Sequence, residues 1–174
     1  MSVNLKTIEK NRKKIFDIEN AMKNNTDPNY KTYIGDNKIT PIKHSFSEGI
    51  YVREMFVPKG TMLVGKIIKD THHVFLMSGK IALVTEDGER VVEAPCNFVA
   101  KGGTKRVGYA LTDVVWINVH PNTSNTKNLK KLEKKIVVEN FEDYNKYISS
   151  KKFSIKLFFT KIINKIKLLI FKNI

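Results

Sequence analysis

From Ser2 to Lys23 the chain places Leu5, Ile8, Ile15, Ile18 and Met22 at spacings of three, four or seven, with Arg12 interrupting the stripe. That period predicts an amphipathic helix, the core of an N-terminal segment spanning residues 1–25. Asn24-Asn25-Thr26-Asp27-Pro28 ends it, because proline lacks a donor and restricts the residue before it. Within residues 40–121 the period changes. Short runs rich in β-branched and aromatic residues follow one another: Ile50–Val57, Met62–Ile68, His73–Met77, Ile81–Thr85, Arg90–Ala94, Asn97–Ala100, Val107–Ala110 and Val114–His120. Pro58-Lys59-Gly60, Ser78-Gly79, Glu86-Asp87-Gly88 and Lys101-Gly102-Gly103 separate several of them and supply glycines where turns need positive φ. Strands this short and this evenly spaced predict a mainly β, antiparallel barrel or sandwich, and the lack of intervening helical period excludes a doubly wound parallel sheet.

Residues 122–150 read as a polar linker with one short helix, Leu129–Ile136, and a second polar patch, Glu139–Asn145. Residues 151–174 then place Ile155, Phe158, Phe159, Ile162, Ile163, Ile166, Leu169 and Ile170 on a helical stripe, with Lys156, Lys161, Lys165, Lys167 and Lys172 mostly off it. This basic amphipathic tail suits docking on its own barrel or a second copy, or the surface of a membrane, better than a nucleic acid.

Composition adds a location to the charge. The chain has 174 residues and a net charge of +14, yet residues 41–125 hold 10 basic and 8 acidic groups, whereas 151–174 hold 7 basic and none acidic. A nearly neutral β region argues against a sequence-reading nucleic-acid domain, which concentrates Lys and Arg on its folded face. With 41% hydrophobic residues, a charged N-terminus and no apolar run of roughly 20 residues, the expectation is a folded protein of the cytoplasm. The single cysteine, Cys96, forms no internal disulfide and reads as a structural thiol.

The chemistry-bearing residues are few. The chain has no Gly-x-Ser-x-Gly elbow and no phosphate-binding Gly-x-x-x-x-Gly-Lys loop, and Gly102-Gly103-Thr104-Lys105 is too short to be one. In the last strand Trp116, Asn118 and His120 share one face and Val115, Ile117 and Val119 the other. The aliphatic set is the expected core, leaving Trp116 to a neighbouring segment or subunit; the reverse register would make Trp116, Asn118 and His120 a polar pocket. His72 and His73 point to opposite faces. Asp70 and His72 would share a face, and with His120, or else His44 or His73, could supply three ligands to a divalent metal.

The run from Gly65 through Asp70, His72 and His73 to Gly79, with Glu86-Asp87-Gly88-Glu89-Arg90 and Lys101-Gly102-Gly103-Thr104-Lys105-Arg106, resembles the cupin superfamily. It is most similar to the small cupin-like proteins of tailed bacteriophages. The resemblance covers roughly residues 42–121 and implies a cupin-like, jelly-roll barrel, commonly a homodimer. Registered on Gly79, the positions at which metal-binding cupins carry two His, one Glu and a second-motif His fall on Lys66, Ile68, His72 and Arg106. A guanidinium does not coordinate metal, so the resemblance implies a barrel without the usual cofactor. It implies a phage-encoded binding or assembly module in an accessory or virion-associated role. Within the barrel mouth Arg106 is expected to pair with Asp70, or Lys66, Lys105 or Arg106 to grip a small carboxylate, sugar acid or phosphate. The alternatives are an isomerase or oxygenase using Fe, Mn, Ni or Zn through Asp70, His72 and His120, and a peripheral membrane protein held by its tail.

Overall fold

The computed structural model describes residues 4–25, 32–33 and 39–171, with side chains described for 4–25 and 39–163. The first helix, α1 (Leu5–Lys23), begins where the Asn4 side chain accepts from the Lys6 amide, an N-cap that satisfies one otherwise orphaned donor. The strands are β1 (Thr32–Tyr33), β2 (Ile42–Ser47), β3 (Gly49–Val57), β4 (Met62–Val64), β5 (Ile67–Ile68), β6 (His72–Ser78), β7 (Lys80–Thr85), β8 (Gly88–Glu93), β9 (Cys96–Ala100), β10 (Val107–Ala110) and β11 (Val114–Asn122). They form two five-stranded sheets, ordered β1-β4-β10-β7-β8 and β2-β3-β11-β6-β9. All pairs in them are antiparallel except β1 with β4, and the two sheets close on one another as a jelly-roll barrel.

The barrel core is Met55, Val57, Val74, Leu76, Ile81, Leu83, Ala100, Ala110, Val114 and Trp116, with Cys96 and Phe98 packed against it. A second cluster joins Ile15 and Met22 of α1 to Val64 and Val107, so α1 covers the outer face of the first sheet. Arg12 breaks the apolar stripe of α1 because its guanidinium meets Glu86 of the barrel, Nε to Oε1 3.7 Å.

Gly79 turns the chain from one sheet to the other at φ +84°, where a Cβ would stand 2.0 Å from the Asp113 carbonyl oxygen. Only glycine fits a left-handed position so close to another backbone.

The structure corrects four expectations. The aliphatic face of β11 is not the core: Val114, Trp116 and His120 are buried, while Val115, Ile117 and Val119 lie on the outer face of the second sheet and are half-buried. The reason is register, since Trp116 pairs with Met55 and Leu76, both inward. The run Met62–Ile68 is two strands, because the Gly65 amide donates to the Arg106 carbonyl and β5 then leaves the sheet to pair with β12 (Val137–Val138). β2 forms from a run not predicted as a strand. The helix predicted at Leu129–Ile136 is α2, but the polar patch after it is the start of a helix. That helix, α3, spans Phe141–Phe171, and Asn140 caps it by accepting from the Asp143 amide at 2.8 Å and donating to the Asp143 carboxylate at 3.1 Å.

Residues up to Val138 form one compact unit and residues from Glu139 a second. In the second, Ile155, Phe158, Phe159, Ile162 and Ile163 are exposed. Ile166, Leu169 and Ile170 fall outside the residues whose side chains are described. No described helix is long and apolar enough to cross a membrane.

Candidate anion site inside the barrel

Strand alternation assembles the site. On the second sheet the inward positions form rows across the strands: His44, Arg53, Asn118, Val74 and Phe98 in one, with Phe46, Tyr51, His120, His72 and Ala100 in the next. On the first sheet Arg90 is paired with Leu83 and so takes the inward face of β8. β8 and β9 are the edges of the two sheets. A cavity of about 250 Å³ opens there, lined by Thr85, Arg90, Phe98, Lys101, Thr104 and Arg106 together with the carboxylates of Asp87 and Glu89.

Phe98 contributes the aromatic wall. Its ring packs edge-on against Trp116 at 5.7 Å, and the Arg90 guanidinium lies 4.4 Å from its centroid. Trp116 in turn donates from Nε1 to Asn118 Oδ1 at 3.0 Å, so its indole has a partner inside the core. The two lining carboxylates are each paired, Asp87 with Lys101 at 3.8 Å and Glu89 with Lys14. Among the described residues Arg53, Arg90 and Arg106 form no ion pair. Arg106 is the most constrained: its Nε is buried without a hydrogen-bond partner, and burial lowers its pKa despite the charges of Glu86 and Asp87 nearby. An unsatisfied buried donor of a charged group is costly.

Along the inward face of the second sheet runs a chain of rings. His44 Nδ1 and Tyr51 Oη are 2.7 Å apart, Tyr51 stacks 6.0 Å from His120, and the His120 and His72 rings stand 4.7 Å apart. His72 Nδ1 donates to the Asp70 carbonyl at 3.2 Å. Burial, opposed by that bond and aided by the Arg106 charge, lowers the His72 pKa. Burial, with the charges of His72 and Arg53, pushes His120 down to about 3, and burial beside Arg53 lowers His44 as well. The interior therefore holds neutral imidazoles and charged guanidiniums.

Of the residues singled out in the sequence, Arg106 lines the cavity, while His72, Trp116, Asn118 and His120 lie on the inward face of the second sheet outside its lining. The structure separates the others. Lys66 points outward and pairs with Glu133 at 2.6 Å. Asp70 offers its backbone carbonyl to His72. Lys105 is buried against α1, with Nζ 3.2 Å from Glu19 and over the Phe16 ring, so its role is to fasten the helix. The metal set Asp70, His72 and His120 is reduced to two neighbouring rings, and no group of three His, Cys, Asp or Glu suited to a metal occurs among the described residues. Arg53, Arg90 and Phe98 escaped the sequence reading. For Arg90 the signal was available, since the Glu86-Asp87-Gly88 turn sets it opposite Leu83.

No family model and no curated protein matches the sequence. Similar solved structures include a cupin superfamily protein from Desulfitobacterium hafniense, 4% identical with a TM-score of 0.42, covering 51% of this chain and 83% of that one. KdgF from Halomonas sp. is 14% identical with a TM-score of 0.42, covering 50% and 82%. The ectoine synthase from P. lautus is 12% identical with a TM-score of 0.43, covering 48% of this chain and 64% of that protein.

Proposed function

We propose that the barrel is a binding module for a compact anion, a phosphate, sugar acid or small carboxylate, held between the β8 and β9 edges. The observation that carries this reading is Arg106, a guanidinium facing the cavity with a buried, unpartnered Nε and no ion pair. Arg90 supplies a second guanidinium over Phe98, and Thr104 supplies a hydroxyl on the lining, whereas the Thr85 hydroxyl is held by the Gly88 carbonyl and the Asp87 amide. Paired planar donors suit carboxylate and phosphate oxygens, and an aromatic wall suits the apolar side of a sugar or carbon chain. At about 250 Å³ the cavity lies below the roughly 300–1,000 Å³ of sites for drug-sized molecules, which favours a small ligand. The resemblance to phage cupin-like proteins extends the proposal to a virus-encoded accessory or virion-associated module.

The test is thermal unfolding in chloride buffer with added inorganic phosphate, a hexuronic acid or a dicarboxylate, for the wild type and Arg106→Gln. An anion at a hundred times its Kd stabilises the folded chain by about 2.7 kcal/mol, or roughly 5–10 °C in Tm. The expected result is such a rise for one of these anions that is lost in Arg106→Gln. No rise with any of them, or an equal rise in the variant, overturns the reading.

A further inference from the structure

We propose that α3 is a membrane-surface helix that binds an anionic lipid bilayer. Along the described side chains, Phe158, Ile162, Ile155, Phe159 and Ile163 fall on one arc of about 140° at 100° per residue. They are exposed, Phe158 by 61%, Phe159 by 57% and Ile163 by 51%. Lys156 flanks one edge of this arc, and Lys161 lies beyond the other. Phe153 and Leu157 fall outside it.

Charge decides the occupant. After Asp143 the chain has eight lysines and no acidic residue. Lys146 is the exception in its surroundings, since Glu142 at 2.8 Å and Asp143 at 3.9 Å neutralise it at the start of the helix. The apolar residues and a run of lysines without any acidic residue therefore occupy the same stretch. A second copy of this helix would bring cation against cation, whereas a bilayer with anionic headgroups satisfies both faces: the rings and branched side chains enter the acyl boundary, and lysines extend their stems to the headgroups. The helix carries too many lysines to span the bilayer, and no described helix has the length and apolarity to do so.

The experiment is co-sedimentation of the full chain with vesicles of phosphatidylcholine alone or mixed with phosphatidylglycerol, at low and high salt. Two variants accompany it: Phe158→Glu/Phe159→Glu on the arc, and Lys156→Glu/Lys161→Glu at its margins. Intact Trp116 fluorescence confirms a folded barrel in each. The expected result is binding to the anionic vesicles that weakens with salt. The lysine reversals should weaken it about 30-fold or more, since each basic residue near an anionic surface is worth about fivefold and reversal exceeds removal. The Phe→Glu pair should abolish it. No binding to anionic vesicles overturns the proposal. So does binding unchanged by Phe158→Glu/Phe159→Glu, which would be attraction of a basic chain without insertion. So does a wild-type oligomer that dissociates in the Phe variant while vesicles bind neither protein, which would assign the face to a second copy.

Discussion

Replacing His120 by glutamine should remove a defined part of the acid sensitivity of this barrel. His120 is 4% exposed, its ring is stacked between Tyr51 and His72, and its pKa falls from 6.5 to about 3. Burial is the main cause, and the groups facing it, His72 and Arg53, act in the same direction. In the unfolded chain the imidazole takes a proton near pH 6.5, whereas in the folded chain it resists one until about pH 3. A group whose folded-state pKa is depressed stabilises the fold above its unfolded value, and that stability drains away as pH falls through the window between the two. Between pH 7.5 and 5.0 the loss is about 2 kcal/mol for this one residue, at 1.36 kcal/mol per pH unit below 6.5. The figure barely changes if the folded value lies anywhere below 4, because at pH 5 the folded imidazole is already almost fully neutral. His72 and His44 are lowered too, and they titrate in both proteins. The measurement is therefore a difference. Urea unfolding, followed by the fluorescence of the single buried tryptophan, is run at the two pH values in chloride buffer for wild type and His120→Gln. The wild type should lose about 2 kcal/mol more than the variant over that interval, whatever constant offset the lost packing adds. Equal losses would refute a neutral, buried His120 beside His72.

Lys105→Met should destabilise the fold by about 3 kcal/mol or more, because it leaves Glu19 buried with only the half-exposed Lys23 at 3.5 Å; Lys105→Met with Glu19→Leu should recover much of that loss in the same urea titration. If the double variant is no more stable than Lys105→Met, the pair is not what fastens α1. Gly79→Ala should cost about 2–4 kcal/mol, since the added Cβ meets the Asp113 carbonyl at 2.0 Å in a left-handed backbone, and a Tm within a degree or two of wild type would contradict the close approach. Arg90→Leu should weaken binding of whichever anion stabilises the wild type by about tenfold while changing Tm little without ligand, because Arg90 is exposed at the cavity and forms no ion pair; unchanged affinity measured by calorimetry would remove it from the site.

How far the sequence discloses this molecule follows from which physical signals are local. The β6, β7, β8 and β9 strands are bounded by Gly79, Gly88 and similar turn residues, and their alternation is visible without a partner. β2 is not, because Lys43, Ser45 and Ser47 face outward from an edge strand and its inward residues, Ile42, His44 and Phe46, are diluted by them. β11 misled for a different reason. Both its faces are apolar or aromatic, so parity alone does not choose between them; the choice comes from Met55 and Leu76 on the strands beside it. Helix α3 starts earlier than its apolar stripe because Asn140 and Asp143 form a cap, a polar signal that reads as a linker when only hydrophobic period is followed. The site combines both kinds of information. Arg106 was legible from its place in the motif, but Arg90 and Phe98 lie on edge strands of different sheets. Their meeting depends on how the two sheets close, which no single strand encodes.

The charge at position 106 links the fold to the proposed ligand. The side chain there is a guanidinium, which stays protonated even when buried. Its field already lowers the pKa of His72, and a divalent cation beside His72 and His120 would meet the same repulsion from Arg106 and Arg53. An anion experiences the opposite. Beside Arg106 it would gain from each guanidinium and relieve the like-charge repulsion between Arg90 and Arg106 that, after burial, contributes to lowering the Arg106 pKa. It should also raise the pKa of His72, because an anion beside Arg106 offsets the guanidinium charge that His72 now feels. Binding in the pH range below 6.5 over which His72 titrates should then take up a fraction of a proton, measurable as a dependence of the calorimetric heat on buffer ionisation enthalpy. A ligand that bound with no such dependence, and equally well in Arg106→Gln, would sit elsewhere on the chain.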